Sequence, residues 1–216
     1  MGNIEEYDPE ELLYYDLYRL RDKETKFLAD LTGLDMDLTR TIIFCKILAK
    51  LMIAEEEEFT LIDALATAAL VRYSRCFTKA VRNKIPTEYM ASFPDDLKEK
   101  HKYFINLRNK YIAHSVNIFE DNYVSLEVHK GPNGKRTIKS VTMGGSWIGG
   151  LGIQNIYDLV NLCEKLLLRI RDEMRNEKKR LLKFYKSKPI DDILNSAIKH
   201  PPFPDDKDVE KRKHWT

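Results

Sequence analysis

Cysteine is scarce in this sequence, with three thiols at Cys45, Cys76 and Cys163 among 216 residues. An odd number at wide spacing gives neither a disulfide framework nor a zinc pattern, and it suits a reducing compartment. Long apolar runs are missing too. The most apolar stretch, TIIFCKILAKLMIA, carries Lys46 and Lys50 and is too short for a bilayer. The opening MGNIEEYDPEE is acidic and has no apolar heart, so it does not read as a secretory signal. A cytoplasmic protein without a membrane partner is the expectation. Charge of one sign is also lacking. Thirty-six basic residues against 34 acidic ones leave a formal net charge of +2, so any case for nucleic acid must rest on local patches. There is no HExxH, no paired CxxC, no two-metal acid cluster and no GxSxG elbow. No metal site, no cofactor and no Ser-His-Asp chemistry is therefore expected.

What is present is helical periodicity. A hydrophobic fraction of 43% beside a charged fraction of 32% describes a helix-rich globular chain with enough length for one sizeable core. Pro9 suits a first helical turn, and Leu13, Leu17, Leu20, Phe27 and Leu31 continue at helical spacing until Gly33 breaks the pattern. Asp35 or Asp37 then caps a second helix, apolar over much of its circumference and so central, closed by the acids Glu55 to Glu58. Thr60 and Asp63 resemble a loose capping box ahead of a third helix, LIDALATAALVRYSRCFTKAVRNKI. Pro86 and Pro94 bracket a loop, and a fourth helix, DDLKEKHKYFINLRNKYIAH, follows. The period then changes to two around GPNG, a β-hairpin signal over about residues 122–143. The glycine-rich GGSWIGGLG reads as a joint into a long final helix, about Ile153 to Lys186. Residues 1–188 are thus expected as a single helical domain, with 189–216 a partly flexible tail.

Basic residues cluster in two places. Arg72, Arg75, Lys79 and Arg82 are spaced three, four and three, on one stripe opposite Ile62, Ala66, Leu70, Tyr73, Phe77 and Val81. Like charges at that spacing cost roughly 0.2–0.5 kcal/mol per pair, so an anion should lie nearby. Intramolecular acids, Glu55 to Glu58 or Asp95 and Asp96, would supply it; so would an RNA backbone. The final helix adds RIRDEMRNEKKRLLKFYKSK, more cations than a helix dipole needs. Its upper half, from Ile156 through Ile170, is apolar at helical spacing and belongs to a core or a dimer seam.

The remaining pattern is LRNKYIAHSVN, which places Arg108, Asn109, Lys110 and His114 at the end of a charged helix, with His101 two turns earlier. A helix C-terminus accounts for the histidine in the simplest way. A small RNA-cleaving site accounts for the group as a set. RNA supplies its own nucleophile, the 2′-OH, so the protein need provide only a proton-transfer group, a donor for phosphate charge, and orientation. Six residues of α-helix put Arg108 and His114 on different faces. Either the helix loosens before His114, or a second protomer completes the site.

Here the chain resembles the HEPN superfamily, compact helical bundles carrying an Arg-(four to six residues)-His motif with a polar residue after the Arg. ALVRYSRCFTKAVR and LRNKYIAHSVNIFE look most like its AbiU-type branch, associated with abortive-infection defence. The resemblance runs best over residues 38–120. It implies a HEPN-like bundle with a hairpin insertion before a long C-terminal helix, acting as a metal-independent endoribonuclease of a defence or toxin–antitoxin type. Arg108 and His114 would be catalytic and Asn109 a positioning residue. RNA, a second copy of the chain, and an antitoxin or regulatory protein would be the partners. Val116 stands where members silenced by nucleotidylation carry tyrosine, which puts that control in doubt. A non-catalytic RNA-binding or partner-binding module is the alternative, with Arg72, Arg75, Lys79, Arg82, Lys110 and His101 as contacts.

Overall fold

The computed structural model describes residues 16–54, 58–78, 81–112, 120–147 and 151–199. In chain order these form a short strand β1 (Tyr18–Arg19), α1 (Lys23–Ile53), α2 (Phe59–Arg75), α3 (Thr87–Ala91), α4 (Asp95–Leu107) and a π-helical turn (Arg108–Ile112). Strands β2 (Glu120–Lys130) and β3 (Arg136–Trp147) follow, then α5 (Ile153–Lys186), α6 (Ile190–Ser196) and β4 (Ile198–Lys199). The fold is mostly helical, with an antiparallel β2–β3 hairpin ahead of a long C-terminal helix. No helix among the described residues is long and apolar enough to cross a membrane.

The chain divides into two compact units. One is Gly33–Arg171; the other joins Met1–Thr32 to Asp172–Thr216. In the first, apolar faces of α1 (Leu34, Leu38, Cys45, Leu48), α2 (Ala66, Ala69, Leu70, Tyr73), α4 (Leu97, Phe104, Leu107) and α5 (Ile156, Leu159, Leu162, Leu166, Ile170) are buried. In the second unit, Asp22 caps α1 by accepting the Thr25 amide at 3.0 Å, and β1 pairs with β4. The Tyr185 hydroxyl also donates to Asp22. Burial alone would raise the Asp22 pKa, but the hydrogen bonds from Tyr185 and Thr25 and the charge of Lys188 hold it below the ordinary value.

Several local expectations are corrected. Tyr18–Arg19 is strand rather than helix, and residues 1–15, with Pro9 and Leu13, lie outside the described residues. Gly33 does not break the helix: α1 runs through it. A Cβ at Gly33 would sit 2.8 Å from Arg82 Nη1 and 3.0 Å from its Cδ, so the glycine is a passage for a side chain and not a stop. Neither Asp35 nor Asp37 caps a helix. Asp35 pairs with Arg171 at 2.7 Å, and Asp37 is buried among arginines. Helix α2 starts at Phe59 after Glu58 with no side-chain cap, so Thr60 and Asp63 do not form the box, and it ends at Arg75. The buried Ile85 draws the following chain back, its amide donating to Cys76 O at 2.7 Å, which leaves Val81 exposed. Between the two prolines lies the short helix α3 rather than a loop.

The hairpin is longer than its period-two signal suggested, reaching Glu120 and Trp147. Its turn closes with the Gly134 amide on Gly131 O at 3.0 Å, and Gly134 has φ 75°, where glycine is favoured. Part of the supposed glycine joint is strand. Gly144 pairs with Tyr123, whose ring covers it so closely that a Cβ would stand 2.5 Å from Cζ. Residues 148–150 of that joint lie outside the described residues. Helix α5 spans Ile153–Lys186, as its spacing predicts.

Candidate functional site

Arg108 and Asn109 sit where helix α4 gives way to the π-helical turn Arg108–Ile112. A π turn exchanges i→i+4 for i→i+5 bonds at some cost in regularity, and such turns are concentrated at functional positions. The loosening of the helix that an Arg108–His114 pair calls for therefore begins at Arg108 itself. Arg108 is half-buried, and its Nη1 donates to the Asn109 side-chain oxygen at 3.0 Å. The partner is a neutral amide. Among the described residues no carboxylate lies within ion-pair distance of Arg108, so its charge stays available to an anion. Lys110, next in the turn, is exposed. His114 and Val116 lie outside the described residues, as does Lys79.

The arginine stripe is organised differently. Arg72 Nη1 reaches Asp37 Oδ1 at 2.9 Å and Arg82 Nη2 reaches Asp37 Oδ2 at 2.8 Å, with Arg75 Nε 3.8 Å away. Burial would raise the Asp37 pKa, but hydrogen bonds from Arg72 and Arg82 and the charge of Arg75 outweigh it and hold the carboxylate below its ordinary value. Among the described residues the anion that the stripe calls for is Asp37; Glu55 to Glu57 lie outside them, and Asp95 instead pairs with Lys98 at 3.0 Å. Arg82 arrives from the chain after α2 rather than from a continuous helical stripe. Arg72 and Arg82 spend their charge inside the fold. Arg75, the more exposed and more distant of the three, retains the most for an external phosphate.

His101 occupies a third place, apart from the Asp37 cluster. Its Nδ1 is 2.8 Å from the hydroxyl of Tyr73, a fully buried residue, and its ring lies 4.4 Å from that of Phe77. Burial, with a lesser contribution from Lys102, lowers the His101 pKa and keeps the imidazole neutral near pH 7. The ring lines a cavity of about 480 Å³ walled by Phe77, Ile85 and Met90 and edged by Lys84, Lys98 and Lys102. An aromatic and apolar lining beside Lys84 and Lys102 suits a base attached to a phosphate, while Lys98 is already paired with Asp95. The sequence pattern singled out His101 but not the three lysines, and it placed Tyr73 only on the apolar stripe opposite the arginines. The heptad spacing from His101 to Arg108 was the signal that linked this cavity's helix to the motif.

No family model, curated protein or solved structure matches the chain.

Proposed function

We propose that the protein is a metal-independent endoribonuclease of the HEPN kind, with Arg108 and His114 as catalytic residues and Asn109 positioning Arg108. The observation that carries this reading is the state of Arg108, a guanidinium at a π-helical turn held by an amide instead of a carboxylate. A structural arginine normally neutralises an acid, as Arg72, Arg82 and Arg171 do here. Among the described residues Arg108 is oriented without being neutralised, which is what a phosphate-binding group requires.

The chemistry follows from RNA itself. The 2′-oxygen attacks the adjacent phosphorus, the bond to the 5′-oxygen breaks, and a 2′,3′-cyclic phosphate remains. His114 accepts the hydroxyl proton or delivers a proton to the leaving oxygen, and Arg108 binds the non-bridging oxygens as charge grows on them. Support for RNA as the substrate also comes from the lysine-edged cavity at His101 and Phe77, where an unstacked base fits. That same cavity favours the second reading, a non-catalytic RNA-binding module. A homodimer that completes the site, and an antitoxin or regulatory protein that restrains it, belong to the proposal as its partners, and the cytoplasm as its compartment.

The test is incubation of the purified chain with single-stranded RNA in EDTA, beside a DNA strand of the same sequence. Cleavage of the RNA alone is the expected outcome. Salt-sensitive binding without cleavage would instead establish the binding module.

A further inference from the structure

The β2–β3 hairpin turns its apolar face to water. Directly opposed pairs stack along one face as Val124/Met143, Leu126/Val141 and Val128/Ile138, while Ser125/Thr142, Glu127/Ser140 and His129/Thr137 lie on the other. All six apolar residues are exposed, from 48% for Val128 to 88% for Met143. A half-solvated antiparallel sheet normally shows its polar side outward.

A bulge keeps this face apolar. The register shifts between Glu127 and Val128 so that Lys139 is the extra residue of β3. Glu127 then takes both Lys139 Nζ at 3.3 Å and Ser140 Oγ at 2.5 Å on the polar face, and Ile138 returns to the apolar one. With a regular register a lysine would sit in the apolar row. An isolated hairpin is marginal in water, so a face kept this consistently apolar calls for a cover.

We infer that this face is a dimer interface, packed against the same face of a second copy about a two-fold axis running across the strands. Two observations select that occupant. The exposed fractions of six medium-sized side chains leave on the order of 600 Å² per copy, so two copies bury about 1,200 Å² in total, the lower end of a standard interface. Charge is also separated along the arm. Lys130, Lys135 and Arg136 crowd the tip, while the sequence puts Glu120 and Asp121 at the start of β2. An axis across the strands lays the tip of one copy over the base of the other and places Leu126 opposite its own copy. An axis along the strands would instead set both cationic tips together.

The inference gives a face to the homodimer of the nuclease reading and rests on it for the second copy, and the test is sedimentation of the full chain at micromolar concentration, a readout separate from RNA cleavage. Wild type is expected as a dimer. Leu126→Asp should raise the dissociation constant by roughly a hundredfold or more, because two unpaired carboxylates would be buried at the axis. Thr142→Asp, on the polar face, should remain dimeric, and circular dichroism should show the helices of both variants intact. A second measurement uses Leu126→Cys with a bismaleimide spanning about 10 Å, the face-to-face spacing of packed sheets. Cross-linked dimer is expected, and the native thiols do not compete because all three are buried, with burial pushing the Cys45 and Cys76 pKa values up to about 12. A monomeric wild type, a Leu126→Asp variant that stays dimeric, or a Leu126→Cys variant that yields no cross-link would overturn the inference.

Discussion

At the scale of single residues, Asp37 holds more of the fold than any other charge described. It is buried and accepts hydrogen bonds from Arg72 and Arg82, so Asp37→Asn leaves two guanidinium groups facing an amide. Breaking a fully buried pair costs about 3–5 kcal/mol, and the partial exposure of the arginines lowers that to roughly 2–3 kcal/mol. A chain of this size should then melt about 5–10 °C lower. The pH dependence has a definite sign. A carboxylate whose folded pKa is depressed contributes stability that is full above its ordinary value of 3.8 and lost as pH falls through the folded value. The melting gap between wild type and Asp37→Asn should therefore be widest at neutral pH and close in the acid range below that value. A gap that stays constant down to pH 2 would show that Asp37 acts through packing rather than charge. Nothing in the sequence marked Asp37 for this part. An acid shortly after a glycine reads as a helix cap, and only the path of Arg82 over Gly33 turns it into a hub.

At the scale of elements, the same path makes helix α1 testable. Alanine in place of a helical glycine usually stabilises by about 0.8–1 kcal/mol. Gly33→Ala should show no such gain, because the new Cβ meets Arg82 and shifts it on Asp37. In an Arg82→Ala background the obstruction is gone, and the ordinary gain should return. Denaturant melts of the four proteins measure the difference as a coupling of about 1 kcal/mol. Equal effects in both backgrounds would remove the close-approach account. Elements with a strong period were legible in advance. Helix α5 follows its apolar spacing from Ile153 to Lys186, and the hairpin follows its alternation around Gly131 to Gly134. Elements whose ends depend on distant contacts were not. Helix α2 stops at Arg75 because Ile85 is buried and bonds back to Cys76, a long-range event that local propensity does not contain. Of the candidate site, the motif at Arg108 was legible as a pattern. Its π-helical backbone and its amide partner were not, since no spacing encodes them.

At the scale of the whole molecule, the residues after Lys199 bring prolines and charges and few apolar side chains to bury. Ending the chain after Lys199 keeps the β1–β4 pairing and should leave the melting temperature within a few degrees of full length. Ending it after Pro189 removes β4 and α6 and should lower it clearly; a truncation series followed by calorimetry checks both. Catalysis by Arg108 and His114 is checked by cleavage of single-stranded RNA in EDTA by wild type, Arg108→Ala, Arg108→Lys and His114→Ala. Arg108 is half-buried at a helix end, so its loss should leave folding intact while cleavage falls. The account predicts a loss of about 10²–10⁴-fold for His114→Ala, as for any general acid–base group. It predicts a comparable loss for Arg108→Ala, and poor rescue by Arg108→Lys because a point charge does not replace a planar fork. Wild-type protein that leaves diverse RNAs uncut, or alanine variants that cut as fast as wild type, would contradict it.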